Sequence, residues 1–312
     1  GRVIQFLGSG EVCTDYVSLL ASPGGEDEVA HAICDWLCGE GSFTWDAIKL
    51  SGPEANDPAI AALTKHFAAR GHTVRQHPGM NCWSVELAPT WDAFLESVHS
   101  SRRSKIRQSL RKYIDNEKVV SHVLRDPSEL DRRFETLIDL HQRRQRSLGR
   151  PGCFSSQRFA AFHREISRRF LAIGKLRLQW TEMDGRTIAA SYSFVGGRTV
   201  FYYQTGLDPE SMKVAPGWLG MIGSLRSAIE SGCTRFDFLR GDESYKISWD
   251  AQSRPTTETQ IVARTTGANL RDAACRARAR IRGWLKRVFH FGRKIAKDTF
   301  LVPTQQPGMK HR

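Results

Sequence analysis

The stretch FDFLRGDESYKISW, residues 236 to 249, places Arg240, Asp242, Glu243, Tyr245 and Lys246 within seven positions of one another. Its carboxylates can accept a proton, its phenol can donate one, and its two cations can hold an anion. The preceding TRFDFL reads as an apolar strand containing Asp237, so the cluster falls at a strand's C-terminal end, where open α/β sheets bind ligands. An alternative is structural: an Arg240–Asp242 ion pair capping a loop, with Tyr245 and Trp249 in the core.

Two other stretches carry candidate chemistry. His141 lies in DLHQRRQRSLG with Arg144 one helical turn away on the same face, which suits the wall of a ligand pocket or a packed helix surface. Pro216 and Gly217 open a predicted helix, and a helix start presents free amides to an anion. Gly217 and Gly220 would permit close backbone approach or tight helix packing, and Lys213 adds a positive charge. Along FYYQTGLD, Gln204 faces opposite to Tyr203 and is given a minor place beside the same ligand.

Positioning these groups takes many elements. A chain of 312 residues, 40% hydrophobic and 10% aromatic, has material for about two domains and no composition of a disordered chain. Up to Pro89 the pattern alternates: RVIQFLG strand, EDEVAHAICDWLC helix, WDAIKL strand, NDPAIAALTKHFAARG helix, then HTVRQH and CWSVEL strands. Asn56 or Asp57 caps the second helix, Pro58 opens it and Gly71 stops it. Next come a basic helix over 101–116, the strand KVVSHVL, a long helix from Asp126 to Leu148 and another from Ser155. Three strands joined at Asp184-Gly185 and Gly196-Gly197 follow, then a helix over 216–231, TRFDFL and the last strand TETQIVAR.

The succession LHQRRQRSLG, CFSSQRF, FYYQTGLDPE, APGWLG and FDFLRGDESYKISW resembles the CelD-type acetyltransferases of bacterial cellulose and exopolysaccharide loci. These are a branch of the GNAT superfamily related to Fem-type aminoacyltransferases. The first part, from FLGSGEVCTDYVSLLASPG, looks like the degenerate GNAT-like repeat that family carries upstream. The resemblance spans about residues 1 to 265. It implies an α/β, tandem GNAT-like fold: two mixed, mainly antiparallel sheets flanked by helices. The implied division is a degenerate domain over 1–97, truncated at its start, an acyltransferase domain over 98–265 and a basic helical tail over 266–312.

The implied activity is transfer of an acyl group from acetyl-CoA or another acyl-CoA to a sugar, amino sugar or related carrier, as amide or ester. In that frame Asp237 or Asp242 takes the nucleophile's proton, Tyr245 protonates the leaving thiolate, and His141 lines the acceptor side. Arg144, Arg240 and Lys246 bind substrate, and Gln204, Lys213, Gly217 and Gly220 bind the donor. The superfamily's phosphate loop puts Gln or Arg three residues before one Gly and a second Gly or Ala two after it; here those positions are Val214 and Leu219. The alternatives left open are an aminoacyl-tRNA donor, as in Fem-type relatives, and a non-catalytic relic docking on an exopolysaccharide synthase or RNA.

The net charge of +13 is concentrated. Six basic residues and no acid occupy 101–112, and ten basic residues face the single acid Asp272 over 271–297. Ile106, Leu110 and Ile114 form a narrow buried stripe on the first, whose cations are a solvated face or an attraction for anionic substrate. Aromatics are not interleaved there, which argues against specific nucleic-acid recognition. In the second, Ala273, Ala277, Ile281, Trp284, Leu285, Val288 and Ile295 share one stripe of a basic amphipathic helix, expected to touch anionic membrane or to pack on the domain. No apolar run is long enough to span a bilayer. Seven scattered cysteines, Cys34 and Cys38 among them, read as reduced thiols without metal. The expected location is the cytoplasm, peripheral at the inner membrane.

Overall fold

A computed structural model describes residues 1–282 apart from residues 43 and 279. The elements run β1 (Val3–Gln5), α1 (Glu26–Cys38), β2 (Ala47–Glu54), α2 (Pro58–Ala69), β3 (Thr73–Pro78), β4 (Cys82–Glu86), α3 (Trp91–Ser97) and α4 (Ser100–Ser109). They continue with β5 (Val119–Val123), α5 (Leu130–Ser147), α6 (Gln157–Ala172), β6 (Leu176–Met183), β7 (Arg186–Gly196), β8 (Thr199–Leu207) and α7 (Pro216–Glu230). The series closes with β9 (Arg235–Arg240), α8 (Ser244–Ile247), β10 (Gln252–Arg254) and β11 (Thr256–Val262).

Local chemistry accounts for most boundaries. Of the two cap candidates for α2 it is Asp57 that accepts the Ile60 N–H, with Pro58 behind it. Ser156 caps α6 by accepting from Phe159 N, one residue later than the sequence pattern suggests. Asp126 and Pro127 open a single 3₁₀ turn, and α5 follows it. Asp184 and Gly185 both have positive φ, as a two-residue turn between β6 and β7 demands. The sequence pattern passes over α3, which Thr90 caps through Ala93 N, and the single turn α8.

The strands form two mixed sheets, β1-β2-β11-β3 and β10-β4-β9-β8-β7-β6-β5. The smaller packs Ile48, Leu50 and Ile261 against Leu37 of α1 and Ile60, Leu63 and Phe67 of α2. In the larger, every neighbouring pair is antiparallel except β8/β9, whose parallel connection is the crossover through α7. One face is covered by α7 with α3, through Phe94, Met221, Ile222, Leu225 and Phe236. The other is covered by α5 and α6, through Phe134, Leu137, Phe159 and Tyr192.

Sheet membership cuts across the expected division at residue 97. β4, from the first part, pairs with β9 of the large sheet, while β11, from the second, lies between β2 and β3 of the small one. Each sheet's core therefore contains strands from both stretches, and burying β11 between two partners satisfies backbone groups that a terminal edge strand would expose.

Residues 266–278 and 280–282 are helical. Ala268 is buried in the small-sheet core, and the buried Asp272 carboxylate meets Arg75 and Arg276, each at 3.0 Å. The predicted tail helix beyond residue 282 lies outside the described residues.

Candidate functional site

The site is made where two strands part. β8 and β9 are paired only over Thr199–Arg235, Val200–Phe236 and Phe201–Asp237. Beyond Asp237 the chain turns at Leu239, whose φ of +58° is unusual for a branched side chain, and Asp237 Oδ1 holds the turn by accepting Leu239 N–H at 2.7 Å. Between the separated ends opens a cavity of about 350 Å³, lined by Tyr203, Gln204 and Thr205 on one side and by Phe238, Leu239 and Arg240 on the other.

The segment Glu11–Tyr16 straps across this opening. Tyr203 O–H donates to Val12 O at 2.8 Å, Tyr16 O–H to Asp237 Oδ2 at 2.8 Å, and Arg240 Nη2 to Thr14 O at 2.8 Å. The Arg240 guanidinium is also ion-paired with Asp15, itself only 4% exposed. The strap reaches the small sheet through Tyr16 N–H on Gly52 O. Gly52 sits at φ +90°, and a Cβ there would come within 2.8 Å of Arg240 Nη2, so side-chain-free backbone lets the strap and β2 meet.

On the α7 face a second cavity, about 320 Å³, is lined by Leu207, Met212, Ala215, Gly217, Trp218, Trp249 and others. Tyr202, Thr205 and Tyr245 line both cavities, so the two adjoin at these residues. α7 begins after Ala215, at φ +54°, with no side-chain cap; Pro216 has no N–H and Trp218 and Leu219 both donate to Ala215 O, so in the first turn the Gly217 N–H is left for an outside acceptor. Beside it Trp218 stacks on Trp249 at 4.5 Å; Lys105 Nζ lies 4.6 Å and the Arg102 guanidinium 5.1 Å from the Trp218 ring. The basic helix thus lies against the start of α7, with Ile106 buried and its cations near the cavity.

Of the sequence-predicted residues, Tyr245, Arg240, Lys246 and Gln204 line the cavity between the strands, and Gly217 lines the one by α7. Their roles differ from the expectation in several cases. Lys246, 2% exposed, donates to the carbonyls of Leu239, Arg240 and Gly241 at 2.8 to 3.1 Å, which makes it a clip for the turn instead of an anion holder. Arg240 is paired with Asp15, not with Asp242. Asp237 lines neither cavity: 1% exposed, it is used by Tyr16 and Leu239, and burial raises its pKa against those two hydrogen bonds. Asp242 turns to the sheet edge and accepts from Trp83 Nε1 at 3.1 Å and Asn81 Nδ2 at 3.2 Å.

His141 lies behind β8. α5 packs so closely that a Cβ on Gly206 would stand 2.7 Å from the His141 backbone nitrogen. Its ring meets Phe154 edge-on at 5.1 Å and Gln142 Oε1 at 3.1 Å, and burial lowers its pKa, so it is a neutral packed histidine. Arg144 is half-buried on α5 with no carboxylate within 4.0 Å among the described residues, and it lines neither cavity. Lys213 is exposed on the turn before α7 and lines neither. Gly220 faces the sheet, where a Cβ would sit 3.3 Å from Ala189 Cβ; packing, not ligand approach, explains this glycine.

Sequence reasoning missed Glu11, Cys13, Asp15 and Tyr16, because nothing local marks a loop more than 200 residues away as the roof of the β8–β9 opening. It also passed over Thr205 and gave Tyr202 no part in the site, expecting one of Tyr202 and Tyr203 to be core. Glu243, quoted in the cluster but given no role, is the cluster's carboxylate that lines the cavity, with its oxygen 3.0 Å from Lys246 Nζ. Gly241 sits at φ +114°, a backbone conformation that residues with a Cβ rarely adopt. Burial, with the Glu243 charge, raises the Tyr245 pKa, so its phenol stays protonated at neutral pH. Among the described residues no group of three His, Cys, Asp or Glu side chains could hold a metal ion, and no helix is long and apolar enough to cross a membrane.

No curated protein matches the chain by sequence. Among solved structures, the chain is similar to FemX (13% identity, 75% of this chain and 76% of that one, TM-score 0.54). It is also similar to the C-terminal domain of a putative lysylphosphatidylglycerol synthetase from Agrobacterium fabrum (12%, 78% and 76%, TM-score 0.52). A third similar structure is a conserved protein of unknown function from Bacteroides thetaiotaomicron (11%, 75% and 75%, TM-score 0.54). Residues 100–247, which hold β5 to β9, α7 and the cluster after β9, match the family model described as an acetyltransferase (GNAT) domain.

Proposed function

We propose that the protein transfers an acyl group from a coenzyme A thioester to an amine or hydroxyl, with donor and acceptor meeting between β8 and β9. The observation that carries this is that the two cavities share Tyr202, Thr205 and Tyr245 on their walls, which brings a ligand held at the start of α7 next to the opening. The apolar walls of the α7 cavity suit a pantetheine arm, and the free Gly217 N–H at the start of α7 suits a phosphate oxygen. Arg102 and Lys105 supply positive potential there, which fits an anionic donor.

When bound, the thioester supplies an electrophilic carbonyl. The acceptor's nitrogen or oxygen forms the new bond to that carbon as the C–S bond breaks. Glu243 takes the acceptor's proton, and Tyr245, protonated, donates a hydrogen bond to the departing sulfur. Arg240 and Lys246 keep the turn that carries Glu243 and Tyr245 in place. We read the acceptor, on the CelD-type resemblance, as a sugar, amino sugar or related carrier of envelope polysaccharide.

We further propose that the C-terminal helix rests on an anionic membrane surface at the cytoplasmic face. In its described part Ala273, Ala277 and Ile281 are exposed while Ala268 and Asp272 face the protein, so the apolar stripe is available for contact.

Calorimetry with acetyl-CoA tests the reading. Binding below about 1 mM, the upper end of common KM values, is expected, and Gly217→Leu, which fills the α7 cavity, should abolish it. Absence of binding by the unmodified protein would overturn the thioester reading, and binding of aminoacyl-tRNA instead would point to a Fem-like donor.

A further inference from the structure

On the α6 face of the large sheet a third cavity, about 400 Å³, adjoins the opening between β8 and β9 at Val12, Cys13, Asp15, Tyr203 and Leu239. Its walls are Phe162, Ile166 and Phe170 of α6, Phe194 of β7 and Phe201 of β8. We propose that it holds a hydrocarbon chain carried by the acyl donor, so that the protein transfers acyl groups longer than acetyl. This rests on the thioester reading above and names the donor class.

The decisive feature is what the polar groups on those walls are doing. His163 Nδ1 meets Tyr192 O–H at 3.3 Å and its Nε2 meets Tyr203 O–H at 3.2 Å, while the Tyr203 hydroxyl donates to Val12 O. Tyr16 donates to Asp237, and Asp15 is paired with Arg240. Thr14 Oγ1 donates to Gly8 O at 3.2 Å. Each of these groups is committed inside the protein. A sugar or other polar acceptor placed here would lose its bonds to water and find few in exchange beyond the Cys13 thiol and the hydroxyl oxygens of Thr14 and Tyr16, which costs more than its contacts return. A methylene chain loses nothing and gains contact with aromatic and aliphatic walls.

The neighbouring opening has the reverse character. There Glu11, Gln204 and Glu243 stand on the wall, so a polar acceptor fits it and the chain continues beyond it. The left-handed turn at Leu239 puts that side chain on the wall of both cavities, at their junction. An acetyl group would end within the opening and leave the aromatic cavity with no ligand to cover it.

The test measures, by calorimetry, the binding of acetyl-, hexanoyl- and decanoyl-CoA to the full chain and to two variants at the α6 surface. Each methylene that enters an apolar cavity tightens binding by up to about fourfold, so decanoyl-CoA is expected to bind the unmodified protein at least about tenfold more tightly than acetyl-CoA. Ile166→Trp, which fills the cavity, should remove that gain and leave acetyl-CoA binding unchanged. Phe162→Ser, at a residue 44% exposed and so tolerant of change, should reduce it. Equal affinity for all three thioesters, or a gain that both variants retain, would overturn the proposal. If no thioester binds but decanoic acid binds the unmodified protein and not Ile166→Trp, the thioester reading falls while a chain cavity stands. If octyl glucoside, below its micelle concentration, shows that pattern while thioester length has no effect, the occupant is an acceptor's chain and the donor assignment is overturned.

Discussion

Tyr16 donates its phenolic O–H to the buried carboxylate of Asp237 at 2.8 Å, joining residues 221 positions apart and tying the N-terminal strap to the strand that bounds the opening. Tyr16→Phe removes the donor and leaves one oxygen of a carboxylate that is 1% exposed without its partner. The expected loss is about 1–3 kcal/mol, the range for an orphaned buried polar group. Urea denaturation measures it; an unchanged midpoint would mean that water replaces the phenol.

Arg240 and Asp15 form the second tie, with side chains 17% and 4% exposed. Removing one member strands the other's charge, so Asp15→Asn and Arg240→Gln should each cost about 3–5 kcal/mol. The double variant should lose less than the sum, with a coupling of roughly 0.5–3 kcal/mol. Strict additivity in a double-mutant cycle would show that the pair acts through separate contacts.

Tyr245 and Asp242 are three residues apart in sequence but face different surroundings. Tyr245→Phe removes the hydrogen bond to the leaving sulfur and should lower kcat by about 10²–10³, as for loss of one preorganised donor. Asp242→Asn should leave kcat within about twofold, because Asp242 meets Asn81 and Trp83 at the sheet edge. Steady-state rates with a thioester donor decide the matter, and a reversed order of effects would move the chemistry to Asp242.

His163 is 2% exposed, and burial lowers its pKa from 6.5 to about 4. Above pH 6.5 neither the folded nor the unfolded chain protonates it. Between pH 6.5 and about 4 only the unfolded chain does, so its contribution to stability is present above 6.5 and is lost as the pH falls, by up to about 1.4 kcal/mol per unit. His72 and His141 are shifted downward too and add to the slope. His163→Gln should flatten the pH dependence of stability in that window; the same slope in the variant would assign it wholly to the other two.

The C-terminal helix is testable by sedimentation with phosphatidylglycerol vesicles at low salt. A truncation at Thr266 would remove Ala268 and also Asp272, which pairs with Arg75, so a loss of binding could reflect a damaged small-sheet core. Ending the chain after residue 278 keeps both. The full chain should sediment and this truncation should not, since each near-surface cation contributes about 1 kcal/mol. Equal sedimentation would place the contact elsewhere.

The sequence by itself determined the elements and the site's C-terminal half. Helix caps at Asp57 and Thr90, the Asp184-Gly185 turn and the α7 start at Pro216 are local backbone chemistry, legible in sequence. Arg240, Tyr245 and Lys246 were legible as a cluster because they follow one strand within a few residues. Which of them face the cavity was settled in space: alternation along β9 could not reveal the left-handed turn at Leu239, the Lys246 clip beneath it, or Asp242 turned toward Trp83. Tertiary structure alone decided that β4 and β11 exchange sheets and that Glu11–Tyr16 roofs the opening. Strand pairing and buried ion pairs are chosen by the total surface and hydrogen bonds satisfied across the chain, a sum over contacts that periodicity along a single segment does not contain.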